Sequence, residues 1–126
     1  MDHALKTLKA LADPTRLRVV ALLVRRPLCV CELMFVLGKE QTLLSHQLGV
    51  LRKAGLVEDS REGRFINYRV PDASRRGLER LLSEFLGLRP KSSKEMADDL
   101  ARLKLCLERD VRGGKCPLPG RPRRKT

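Results

Sequence analysis

The residues with the most specific chemical potential in this sequence are two thiols, Cys29 and Cys31, separated by Val30. Cys-x-Cys is neither the Cys-x-x-Cys of a dithiol oxidoreductase nor that of a zinc ribbon, and no second pair follows at zinc-finger spacing. An apolar run, Leu33-Met34-Phe35-Val36-Leu37, comes directly behind and is closed by Gly38. The pair therefore stands at the entrance of a short helix expected to begin near Leu28 or Cys29. On an ideal helix, residues two apart lie roughly 200° around the axis from each other. Two thiolates so placed cannot grip one ion without deforming the backbone. That deformation is cheapest in the first turn, which lacks its full set of hydrogen bonds. The same position, with Arg25 and Arg26 nearby, is expected to lower the thiol pKa values. The spacing thus predicts a switch in which a bound ligand unwinds or tilts a helix entrance. The competing expectation is two small buried hydrophobes, a common role for Cys.

Histidine supply narrows the ligand. Only His3 and His46 occur, and His46 falls on the polar face of a later helix. A nitrogen-rich zinc or nickel site on the last helices is excluded, and His3 reads as a bystander. Soft, thiophilic species remain: trivalent arsenic or antimony, or cadmium and lead. Oxidation of Cys29 with Cys31 or Cys106 is the alternative use of these thiols. No base or orienting carboxylate pairs with either Cys in the sequence, so an enzyme is not expected. An architectural DNA-binding protein with incidental thiols is the fourth reading weighed.

The elements that position the pair can be read from breakers and periodicity. A first helix, with Asp2 as cap, carries Ala4, Leu5, Leu8, Leu11 and Ala12 on one side. Asp13-Pro14 breaks it and starts a second helix, Thr15 to about Arg26, burying Leu17, Val20, Ala21 and Val24. After the thiol-led third helix, a fourth runs from Gln41 to Ala54. Leu44, Leu48 and Leu51 make its apolar stripe. Gln41, Thr42, Ser45, His46 and Gln47 offer short polar groups at its front, with Arg52 and Lys53 at the back. That arrangement suits a helix in a DNA major groove, with amides and hydroxyls at base edges and cations on phosphates. Taken alone, the same face could equally be solvated surface. The hairpin that follows, Leu56 to Arg61 and Arg64 to Val70, turns at Glu62-Gly63 and sets Arg61 and Arg64 beside its tip. Helix, turn, helix and basic-tipped hairpin are the parts of a winged helix-turn-helix.

A fifth helix is expected over Asp72–Leu88 and, after an Arg89–Ser93 linker, a sixth capped by Ser92 or Ser93. In the sixth, Met96, Leu100, Leu103 and Leu107 form a seam for a partner helix. The organisation expected is a winged helix-turn-helix DNA-binding domain over 1–88, a linker and C-terminal helix over 89–112, and a basic, flexible tail over 113–126. The fold class is mainly α with a small β-hairpin, dimerising through terminal helices.

Composition agrees with that plan. The chain has 126 residues, one domain by length, with 42% hydrophobic residues but only 3% aromatic ones and no Trp. Leu and Val must do most of the packing, and so small a chain can complete its burial in a homodimer. The formal charge is +12. Lys115, Arg121, Arg123, Arg124 and Lys125 account for part of it, yet the body remains basic and favours a polyanion such as double-stranded DNA. No apolar run approaches the ~18 residues of a membrane span. Four Cys without a secretory signal lead to the expectation of a reducing cytoplasm.

Several stretches together resemble the ArsR/SmtB family of metalloregulators, and its arsenic-responsive branch in particular. They are Asp13-Pro14-Thr15-Arg16-Leu17-Arg18, Leu28-Cys29-Val30-Cys31-Glu32-Leu33, Leu44-Ser45-His46-Gln47-Leu48, Leu51 to Val57, and Arg61 to Arg69. The similarity covers about Leu8 to Val70 and is architectural beyond that. The resemblance implies a homodimeric transcriptional repressor, active in arsenical resistance, that leaves its operator when As(III) or Sb(III) binds the Cys29/Cys31 pair. Many arsenic-type members carry a third Cys three residues after the pair, where this chain has Met34. The cadmium/lead branch adds thiols from an N-terminal arm that is missing here, so arsenic is favoured over cadmium. A third thiol must then come from Cys116, Cys106 or an external thiol, Cys116 because it follows Gly113-Gly114 and could travel. A cadmium/lead-responsive repressor and a thiol-redox-sensing one are the alternatives.

Overall fold

The structure, a computed structural model, describes residues 1–111. Its first two helices, α1 (Asp2–Leu11) and α2 (Pro14–Leu23), are separated where Asp13-Pro14 requires it. Proline sits at the first helical position, where no N–H is needed, and Asp13 Oδ2 accepts the Arg16 amide at 3.0 Å. A cap of this kind contributes about 1 kcal/mol. Asp2 is not the cap of α1; it lies in the first turn, and Met1 occupies the cap position. The apolar side expected of α1 is only partly used. Leu11 is buried, whereas Leu5 and Leu8 remain 46% and 58% exposed.

The third helix begins later than expected. Leu28 and Cys29 form a short strand, β1, and α3 runs Val30–Leu37. The expected helical start at Leu28 or Cys29 gives way because their backbone pairs antiparallel with the hairpin, Leu28 opposite Tyr68 and Cys29 opposite Asn67. Strand pairing, together with the Glu32 carboxylate that takes the Cys29 amide, occupies groups that a helix's first turn would leave open. At the other end of α3, Gly38 takes a left-handed conformation, φ 67°, and its N–H closes on the Met34 carbonyl at 2.9 Å.

The helix-turn-helix is completed by α4 (Gln41–Lys53), and the wing by β2 (Glu58–Glu62) and β3 (Phe65–Arg69), turning at Gly63 with φ 62°. The sheet order is β1-β3-β2, so the wing's inner strand lies between the hairpin's outer strand and the start of α3.

The long fifth helix divides. A regular α5 (Asp72–Arg80) passes into a π-helical turn, Leu81–Phe85, closed by the Leu86 N–H on the Leu81 carbonyl at 2.9 Å. Within it, the Ser83 hydroxyl donates to the Glu79 carbonyl at 2.8 Å, a contact that competes with the regular ladder. The change of pitch leaves Phe85 82% exposed. The last described helix, α6 (Lys94–Glu108), is capped by the Ser93 hydroxyl accepting the Met96 amide at 3.2 Å. It packs on α3 of its own chain. Leu103 of the expected seam is buried, as is Met96, which lies beside Ala21 and Val24 of α2, while Leu107 stays 37% exposed. The core is therefore α2 and α3, wholly covered at Val19, Val20, Leu22, Leu33 and Val36, with α4, the sheet and α6 around them. Among the described residues, no helix is long and apolar enough to cross a membrane.

Candidate thiol site and nucleic-acid interface

Cys29 closes β1 and serves as the cap residue of α3, with φ −90° and ψ 170°; Cys31 is the second residue inside the helix. The two are thus not both helical. Both side chains are buried. Glu32 completes the corner: its Oε1 accepts the Cys29 backbone N–H at 2.9 Å, the acidic arm of a capping box. The reciprocal arm, from the Glu32 amide toward the Cys29 sulfur, is weak because sulfur is a poor acceptor. Glu32 was not singled out by the sequence, although its position three residues after the cap carried the signal.

The expected depression of the thiol pKa is corrected at Cys29. Burial, and then the Glu32 carboxylate, push the Cys29 thiol up from its ordinary value. Arg25 and Arg26 are exposed and do not outweigh these effects. Cys106, buried on α6, is pushed up further, to about 12, by burial first and then by Glu32 and Cys29, with Arg26 acting in the opposite sense. Cys29 and Cys106 are free thiols, and Cys31 is disulfide-bonded. Among the described residues, no three His, Cys, Asp or Glu side chains already stand in an arrangement that would hold a metal ion. Cys116 and the basic tail lie outside the described residues.

On α4, Thr42, Ser45, His46, Arg52 and Lys53 are exposed along one surface, and Gln41 is half-buried at its start. Gln47 departs from the expected polar front. It is buried, its Oε1 accepting from Arg16 Nη1 at 2.7 Å and its Nε2 donating to Asp13 Oδ2 at 3.4 Å. The reason is helical phase: Gln47 lies next to Leu44, Leu48 and Leu51, which point into the core. Arg52 reaches Asp59 of the wing at 3.2 Å, tying α4 to β2 through a solvent-exposed pair. Arg61 and Arg64 are exposed on either side of the wing tip. Thr42, Ser45, His46, Lys53 and the two wing arginines thus share the accessible helix and hairpin surfaces of a winged domain.

A second network links α2, α3 and α6. Asp99 of α6, 2% exposed, accepts two hydrogen bonds from Arg18 of α2, at 2.9 and 2.8 Å, and one from Arg102 at 3.0 Å. Arg102 Nε also donates to the Val36 carbonyl of α3 at 2.6 Å. Asp99 and Arg102 thus tie α6 to α2 and to α3, contacts that sequence spacing could not disclose.

Comparison with known proteins places these features. Residues 13–59 match the model of the bacterial regulatory protein, arsR family. An arsenic resistance transcriptional regulator of Pseudomonas putida is 35% identical over 86% of this chain and 92% of its own length. A transcriptional repressor SmtB homolog of Synechocystis is 40% identical over 61% of the chain, but the match spans only 58% of that protein. Among solved structures, the homodimeric winged helix-turn-helix DNA-binding domain from Mycobacterium bovis superposes with a TM-score of 0.61. That match has 30% identity and covers 68% of this chain and 79% of that one. Family model, near-full-length relative and wing topology agree: the chain belongs to the ArsR family of bacterial regulatory proteins, with a winged helix-turn-helix fold.

Proposed function

We propose that the protein is a homodimeric DNA-binding transcriptional repressor that leaves its operator when As(III) or Sb(III) binds the thiolates of Cys29 and Cys31. The observation that carries this reading is the place of Cys29. It lies at the joint of β1 and α3, with its backbone paired to Asn67 of the wing strand and its amide held by Glu32. A ligand drawing Cys29 and Cys31 together must disturb this joint. It acts at once on the helix beneath α4 and on β3, the two supports of the DNA-facing surface. Soft thiolates favour a thiophilic metalloid over zinc, and the ion is taken by the reduced form of Cys31.

Operator binding would use Gln41, Thr42, Ser45 and His46 at the major groove, with Arg52, Lys53, Arg61 and Arg64 on phosphates. Gln47 acts by anchoring α4. The exposed Leu5, Leu8, Phe85 and Leu86 supply apolar surface for a second copy. The relatives' printed roles, arsenic resistance and a homodimeric DNA-binding domain, point the same way.

The test is a gel-shift with the DNA upstream of its own gene, using reduced protein. Arsenite, antimonite, cadmium, lead, zinc and peroxide are titrated separately. Release by arsenite or antimonite at the lowest dose is expected, and its loss in Cys29→Ser and Cys31→Ser. Release by peroxide alone would replace this reading with thiol-redox regulation, and release by cadmium or lead alone with a divalent sensor.

A further inference from the structure

We propose that Asn67 is the positioning residue that links the thiol corner to the wing tip. Its amide holds the Glu62 carboxylate back from the DNA, and a group bound on the Cys29 sulfur displaces that amide and frees the carboxylate. This link rests on the proposed function only in taking Cys29 as a thiol that the effector occupies.

Asn67 lies at the centre of the sheet. On β3 it stands directly opposite Cys29 of β1 on one side and Ser60 of β2 on the other. Residues directly opposite in antiparallel strands project from the same face, with Cβ atoms roughly 4.5–5.5 Å apart. Asn67 is 8% exposed, and Cys29, a free thiol, is 1% exposed. The Asn67 Nδ2 donates to Glu62 Oε1 at 2.7 Å, whereas its Oδ1 is buried with no hydrogen-bond partner. Such groups are rare in folded chains, because an unpaired buried acceptor gives up its hydration and gains nothing. A side chain that merely filled the sheet would be better as Val, which suits a strand and leaves no polar atom open. What the asparagine adds is the donor that reaches Glu62.

Glu62 ends β2 and is exposed at the tip beside Gly63 and Arg64. A carboxylate free to move there opposes the contact of Arg61 and Arg64 with phosphates. The Asn67 bond draws it back along the hairpin. A substituent on the Cys29 sulfur finds no open space at so buried a corner, and the side chain directly across the strand pair is Asn67. With its oxygen unpaired, that amide is secured at one end only. Moving it breaks the bond to Glu62 and adds a negative charge to the DNA-facing tip.

The experiment uses the full reduced chain and the DNA upstream of its own gene. Without effector, Asn67→Leu and Asn67→Val, neither of which offers a donor, should weaken binding roughly two- to fivefold at low salt and less at high salt. Glu62→Gln should change wild type little and restore wild-type affinity in both Asn67 variants, with thermal melts confirming that each folds. No loss in the Asn67 variants, or an effect of Glu62→Gln that is equal in every background, would overturn the assignment. Asn67 is the only asparagine in the sequence, so Asn-selective isotope labelling gives one side-chain amide signal in the NMR spectrum of the intact protein. Arsenite should move that signal in wild type to its position in Glu62→Ala, and leave it in place in Cys29→Ser. A signal that stays in place while arsenite releases the DNA would overturn the link and leave the proposed function standing. Arsenite that neither moves the signal nor releases the DNA would overturn the reading beneath it.

Discussion

Arg16 and Gln47 meet across the α2–α4 contact, the guanidinium Nη1 donating to the amide oxygen at 2.7 Å. Arg16 Nε is held in turn by the Ala10 carbonyl at 2.7 Å, and Asp13 both caps α2 and accepts from Gln47. The DNA-facing helix is thereby fixed to the end of α1 and the start of α2. Gln47→Ala should lower stability by about 1 kcal/mol, since it removes the side-chain bonds to the half-buried Arg16 and to Asp13. It should also weaken binding to cognate and random DNA alike, because what is lost is the seat of α4. Ser45→Ala should instead cost about 1–3 kcal/mol on the cognate site and much less on random DNA. Denaturant melts and paired gel-shifts separate the two; cognate-only weakening by Gln47→Ala would return that residue to the base-reading surface.

How legible was this chain? The Asp13-Pro14 break, the Gly38 stop and the Gly63 turn were legible because each rests on local backbone chemistry. The exposed front of α4 followed from periodicity, except at Gln47, where a polar side chain sits at the edge of the apolar stripe and its partner on another helix decides. Leu28 and Cys29 read as a helix start since nothing local shows that β3 will pair with them. The Arg18–Asp99 and Arg102–Val36 contacts were beyond reach for the same reason. They depend on how α6 folds back on α3, and no spacing rule records that.

The Asp99 clamp should be essential to the placement of α6. Asp99→Ala removes a buried carboxylate facing Arg18 and Arg102, whose side chains are 27% and 45% exposed. With solvent able to take up part of both charges, the expected loss is about 2–3 kcal/mol, below the full figure for a broken buried pair. Protease cleavage within α6 should become faster than cleavage in α4. Equal protection of the two helices would show that α6 is held by apolar packing alone.

Assembly should depend on the apolar surface that the fold leaves open on α1 and beyond α5. Leu8→Ser and Phe85→Ser replace residues that are 58% and 82% exposed, so neither should lower the stability of an isolated subunit by more than about 0.5 kcal/mol. Together they should shift sedimentation from dimer toward monomer at micromolar concentration and weaken DNA binding. A wild-type protein that sediments as a monomer would remove the basis of this prediction.

At the wing, Arg64→Ala should weaken cognate and random DNA equally and flatten the dependence of affinity on salt by about one phosphate contact. Titrating affinity against salt for both DNAs checks it. An unchanged slope would mean that the tip does not touch the backbone.

The buried thiols should make stability fall in alkaline solution. Cys106 is raised in the folded chain to about 12 from an ordinary value of 9.0, and Cys29 is raised in the same direction. The unfolded chain therefore loses these protons first. The associated stability is present below about pH 9 and is lost as pH rises toward about 12. Lys and Tyr titrate in the same window, so the measurement is a difference: wild type against Cys106→Ala, by thermal melts from neutral to alkaline pH. The wild-type midpoint should fall more steeply above about pH 9; parallel curves would contradict a thiol held protonated at this position.

Glu32 offers a way to separate the cap from the charge at the thiol corner. Its carboxylate accepts the Cys29 amide at 2.9 Å and also disfavours the Cys29 thiolate. Glu32→Gln keeps an acceptor for that amide and removes the negative charge, whereas Glu32→Ala removes both. Glu32→Ala should lower stability by about 0.5–2 kcal/mol, the usual range for a lost cap contact; Glu32→Gln should lower it less. Both should bring the Cys29 thiol pKa down, though not to its ordinary value, because burial is the larger cause. The pH profile of Cys29 alkylation in a Cys31→Ser, Cys106→Ser, Cys116→Ser background reads the effect directly. A profile that does not move toward lower pH in Glu32→Gln would mean that the carboxylate acts at this corner only as a helix cap.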